Sequence, residues 1–161
     1  MPALLRVEGG PYRGLPRAEI LRRARAIFDG LQLGDAELSI VLTDDEQIRK
    51  LNAEFRRVDA ATDVLAFAMR EGHGKRLHRE ILGDVVVSVE TARIQAARLG
   101  RDVLSEVTML LAHGVLHLLG WDHDTRAKDV RMRAETERLC VLARQKVKPR
   151  PARRKKIRAR V

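Results

Sequence analysis

Between Asp102 and Leu119 the chain runs for a full helix length with apolar residues on nearly every side, among them Met109, Leu110, Leu111, Val115, Leu116, Leu118 and Leu119. A helix apolar all round is buried in the body of a fold. Two histidines interrupt it, His113 and His117. Residues four apart lie one turn up on the same face, so the two imidazoles project together. Burying them without partners would cost about 1–3 kcal/mol each. Gly120 follows the last apolar residues, where a glycine in the left-handed conformation commonly ends a helix. A turn there swings His123 back toward the first two histidines. A divalent cation is the economical partner for three converging imidazoles. They leave one tetrahedral position open, as catalytic zinc sites do, with zinc–nitrogen distances of about 2.0–2.1 Å.

The H-x-x-x-H-x-x-G-x-x-H spacing matches the three-ligand pattern of metzincins. In that pattern a glutamate follows the first histidine and serves as general base; here the position is Gly114. A peptidase of that mechanism has lost its proton acceptor. Asp122 and Asp124 flank His123, and either could orient a ligand imidazole or take a proton. Asp124 is read first as the N-cap of the next helix. His73 and His78 fall in the charged stretch 71–79, which reads as a solvent-exposed loop.

Around this segment the chain mixes helices and strands. Pro16 opens a helical pattern carrying Ile20, Leu21, Ala24, Ile27, Phe28 and Leu31 on one face, with Gly34 beyond. Leu38–Leu42 is a short strand. Thr43-Asp-Asp-Glu46 has the form of a capping box, and the helix after it puts Ile48, Leu51 and Phe55 on one stripe. Strands are expected at 64–69 and near 83–89, the second on its Val85-Val-Val87 run. Ser88 can cap a helix that ends near Gly100, and a last helix spans about 125–144. Two strands joined by a loop, without clean strand–helix alternation, indicate an α+β domain with a small mixed sheet.

The formal charge of +10 is not spread evenly. Ten of the 32 Lys and Arg residues lie between Arg144 and Val161 with no acid among them, which leaves 22 basic residues against 22 acidic ones in the body. The expected organisation is one hydrolase domain over 1–143 and a basic, disordered tail over 144–161 suited to a polyanion. Five aromatics (Tyr12, Phe28, Phe55, Phe67 and Trp121) are too few for an obvious base-stacking platform. Charge and shape are therefore expected to do most of the holding of any such polyanion. Cys140 stands alone, which rules out an intramolecular disulfide and a cysteine-based zinc site. No apolar run reaches about 18 residues, and MPALLRVEGG lacks a charged start followed by an apolar stretch, so no membrane span is expected and a cytoplasmic location is.

The histidine segment resembles the H-G-x-L-H-L-x-G-Y-D-H signature of the YbeY family of bacterial endoribonucleases. Leu51-Asn-Ala-Glu-Phe-Arg56 with Thr62-Asp-Val-Leu-Ala-Phe67, and Leu82-Gly-Asp-Val-Val-Val-Ser88, are similar to that family's other blocks and occur in its order. The resemblance implies a mixed four-stranded sheet packed with about five helices. It also implies a zinc-dependent, single-strand-specific endoribonuclease acting in 16S rRNA 3′-end maturation and ribosome quality control. Residue by residue it assigns one Zn2+ per chain to His113, His117 and His123, and a catalytic role to Arg56. RNA of the ribosome or its small subunit is the implied partner. The chain departs from the pattern at Arg57, where Gly is common, at Ala61 for Pro, at Ala66 for Ser and at Trp121 for Tyr. The alternatives are a zincin-like metalloprotease and a non-catalytic ribosome-biogenesis factor braced by zinc.

Overall fold

A computed structural model describes residues 3–69 and 81–145. The elements run β1 (Ala3–Val7), α1 (Arg17–Gly30), β2 (Glu37–Thr43), α2 (Asp45–Arg56), β3 (Val64–Ala68), β4 (Ile81–Ser88), α3 (Val89–Leu99), α4 (Val103–Leu118) and α5 (Arg126–Arg144). The strands form one sheet in the order β1-β2-β4-β3. β1 and β4 each pair parallel to β2, while β3 pairs antiparallel to β4 on the far edge. The expected α+β fold with a mixed four-stranded sheet and five helices is present. The expected loop at 71–79, His73 and His78, and the tail beyond 145 lie outside the described residues.

The two faces of the sheet are covered unequally. Alternation along each strand sends Leu38, Ile40 and Leu42 of β2, Val85 and Val87 of β4, and Val64 and Ala66 of β3 into the main core. That core is completed by α1, α3, α4 and α5. The opposite parity, Val41, Leu65, Phe67 and Val86, meets only α2 through Ile48 and Leu51. Each fully buried Leu or Ile contributes roughly 1.5–3 kcal/mol, so the larger cluster dominates stability. The α4 helix, apolar all round as read from its sequence, touches α1, α3, α5, β3 and β4. Arg23 of α1 ties it further, donating to the Thr108 hydroxyl at 3.0 Å while pairing with Glu19.

Capping follows the local chemistry, with two differences from expectation. Ser88 caps α3 and Gly100 ends it in the left-handed conformation, as expected. The α2 cap is Asp44 rather than Thr43: its carboxylate accepts the Gln47 amide at 2.9 Å. Thr43 is still the last residue of β2, paired with Ser88 and fully buried, so its hydroxyl turns to Glu8 instead. The α5 cap is Thr125 rather than Asp124, which pairs with Lys128 at 3.2 Å. β1 has no counterpart among the expected strands, and with it β1-α1-β2 forms a parallel crossover that the sequence pattern did not suggest.

Candidate metal centre

The site lies where the end of α4 meets the β3 edge of the sheet. Gly120, at φ +90°, ends α4 with Trp121 N–H on the Leu116 carbonyl at 3.0 Å and its own N–H on the His117 carbonyl at 2.9 Å. That reversal carries His123 back to His113 and His117, as the spacing predicts. Asp122 steadies it by accepting the His123 amide at 2.7 Å. His113 and His117 face each other with Nε2 atoms 3.0 Å apart. The His123 ring centre is 5.7 Å from that of His113 and 5.2 Å from that of His117. One nitrogen from each of the three lies within 4.8 Å of the others.

Electrostatics favour the unprotonated rings. Burial is the main reason that the His113 pKa is lowered, and the neighbouring His117 and His123 add to it against Asp63. Burial also lowers His117, followed by His123. A backbone bond to Trp121 and the charge of Asp122 oppose this, while Arg56 adds to the lowering. Two neutral imidazoles cannot bring both lone pairs together at this separation without a proton or a cation between them. Two ligands of one tetrahedral zinc stand roughly 3.3 Å apart, close to what is found. The cluster therefore fits a divalent cation.

A cleft of about 550 Å³ opens over the histidines, walled by Val64 and Ala66 of β3 and by Gly114, with Asp63 and Asp122 at its sides and Arg56 at its rim. Arg56 is the last residue of α2, on the opposite face of the sheet. Its guanidinium reaches round the edge strand and donates to the Ala66 carbonyl at 3.4 Å. That carbonyl is accessible because β3 is an edge. The Ser88 amide bonds Asp63 and the Met69 amide bonds Leu82, so by alternation the N–H and C=O of Ala66 point outward. All four residues singled out from the sequence, Arg56, His113, His117 and His123, thus border one cleft.

Asp63 was not anticipated. Its carboxylate accepts the Val64 amide at 2.8 Å and the Gln95 side chain at 3.2 Å, so it is fastened by its own turn and by α3. Its sequence signals were its place in the Thr62–Phe67 block and an acid opening an edge strand. Gly114 explains the missing glutamate. A Cβ there would stand 2.7 Å from Val85 Cγ1 and 3.1 Å from Val85 Cγ2, so α4 lies too close on β4 for a side chain. The position that holds the peptidase base in metzincins has no room for one here.

Comparison with known proteins bears on the same residues. The family model described as endoribonuclease YbeY matches residues 17–143. A protein named endoribonuclease YbeY from Heliobacterium modesticaldum is 46% identical over 118 residues, 68% of this chain and 71% of its own. Another of that name from Aquifex aeolicus is 41% identical over 125 residues, covering 78% and 81%. The solution structure of TM1509 from Thermotoga maritima has the same fold at a TM-score of 0.59 and 21% identity, covering 87% of this chain and 89% of that one. No helix among the described residues is long and apolar enough to cross a membrane. A match running from the first turn of α1 to the last turn of α5, through every residue of the cleft, makes this chain a member of the endoribonuclease YbeY family.

Proposed function

We propose that the cleft is the active site of a metal-dependent endoribonuclease that cuts single-stranded RNA, with zinc held by His113, His117 and His123. The convergence of three imidazoles beside Arg56 in one cleft carries this reading. The donor set suits zinc, since three neutral nitrogens and an open side are the pattern of catalytic sites of that metal. Bound there, such an ion supplies a Lewis acid for a phosphoryl oxygen and acidifies water near neutral pH.

The protein's own groups do the remaining work. Burial lowers the pKa of His113 and His117, which favours the neutral rings that donate lone pairs. Asp122 fixes the turn that presents His123. The Ala66 carbonyl takes one guanidinium N–H and steers the Arg56 fork over the cleft, where it grips the phosphodiester with charge-assisted hydrogen bonds. Family membership supports ribosomal RNA as the substrate, its small-subunit 3′ end in particular, and the cytoplasm as the place of action. The domain over 1–143 carries the chemistry, in keeping with the extent of the family match. The basic run over 144–161 adds sequence-independent grip on the polyanion.

The test is to measure zinc content and cleavage of a single-stranded rRNA segment for the parent, His117→Ala and Arg56→Ala. His117→Ala should lose both. Arg56→Ala should keep its zinc and cut roughly 100-fold more slowly. Full activity in a metal-free His117→Ala preparation, or in Arg56→Ala, would overturn the reading. Deleting residues 146–161 should flatten the salt dependence of RNA binding without loss of zinc, and an unchanged slope would remove the tail from it.

A further inference from the structure

The chain holds five aromatic residues, and the fold brings two of them together beside the cleft. Phe55 immediately precedes Arg56 on the last turn of α2. Its ring packs on that of Phe67 of β3 with centres 5.3 Å apart and planes tilted by 59°. Phe55 continues the apolar stripe of Ile48 and Leu51 at the end of α2, and the residue is 61% exposed. Met69, just past the end of β3, is 55% exposed. The result is a buttressed aromatic surface with one open side, next in the chain to two cations, Arg56 and Arg57.

We propose that Phe55 is a stacking platform for an unpaired nucleobase of the RNA strand, adjoining the phosphodiester held at Arg56. The inference rests on the cleft being an RNA site and adds a specificity subsite to it. A strand that enters the cleft with a phosphate at Arg56 crosses the edge strand β3, because Arg56 spans that edge from the α2 face. The neighbouring nucleotide then lies over the α2 face, where Phe55 is. Phe67 holds the Phe55 ring in place, so little freedom is lost on stacking. Every base has a π-face, so the platform accepts any sequence. It does not accept a duplex, whose bases are already stacked and turned inward. Preference for single strands follows from this one ring, whereas the phosphate contact at Arg56 is common to both forms of RNA.

The experiment measures binding of the full-length, zinc-loaded protein to short single-stranded RNAs, each with one abasic nucleotide at a successive position. The parent, Phe55→Leu and Phe55→Trp are compared, with an RNA duplex as control. Leucine keeps the apolar bulk at an exposed position, so thermal unfolding should match the parent. The parent should bind roughly tenfold more weakly when the abasic site falls at one particular position. Phe55→Leu should bind the intact strand roughly tenfold more weakly and no longer distinguish that abasic position. Phe55→Trp should bind at least as tightly as the parent, and duplex binding should be the same in all three. If Phe55→Leu matches the parent, or keeps the abasic penalty, the stacking site is overturned while nuclease function stands. A parent that neither binds nor cuts single-stranded RNA would overturn both.

Discussion

The Nε2 atoms of His113 and His117 stand 3.0 Å apart across one turn of α4, and burial is the main cause that lowers the pKa of both rings. Their folded pKa values lie below those of the unfolded chain, so the unfolded state binds more protons as the pH falls. Stability of the metal-free protein is therefore full above the ordinary histidine pKa of about 6.5 and declines as the pH drops through it. In chelator, urea midpoints should fall between pH 7.5 and pH 5.5, and a His113→Gln, His117→Gln double variant should lose most of that slope. An equal slope in the double variant would place the effect elsewhere.

Gly114 sets how closely α4 lies on β4. Gly114→Ala should destabilise by about 1–3 kcal/mol through overpacking against Val85, read from denaturant titration. Gly114→Glu, which restores the metzincin sequence, should fail to fold or fold without peptidase activity. A stable Gly114→Glu protein that cleaves casein would contradict the packing account.

Arg57 occupies the left-handed region at the end of α2, with φ +57° and ψ +32°. A side chain there costs roughly 1 kcal/mol relative to glycine. Arg57→Gly should therefore raise stability by about 0.5–1 kcal/mol, measured by thermal or urea unfolding. A loss of stability would show that the Arg57 side chain makes a compensating contact.

The histidine cluster was legible because every link in it is local. Helical spacing aligns His113 with His117, a glycine ends the helix, and three residues later His123 returns. The same holds for α3, bracketed by Ser88 and Gly100. The features that escaped depend on partners distant in sequence. β1 is a five-residue edge strand with exposed Leu4, recognisable only once β2 is beside it. Thr43 has the residue type of a helix cap, but pairing with Ser88 keeps it in the sheet and moves the cap to Asp44. The approach of Arg56 to the histidines requires α2 and α4 to lie on opposite faces of one edge strand, which no local pattern encodes. Phe55 joins Phe67 for the same reason.

Zinc bound per chain after exhaustive dialysis, in the parent and in His113→Ala, His117→Ala and His123→Ala, tests the centre most directly. About one equivalent is expected in the parent, with a near-complete loss in each variant. A parent that binds no zinc, or a His123→Ala protein that keeps a full equivalent, would contradict a three-imidazole centre.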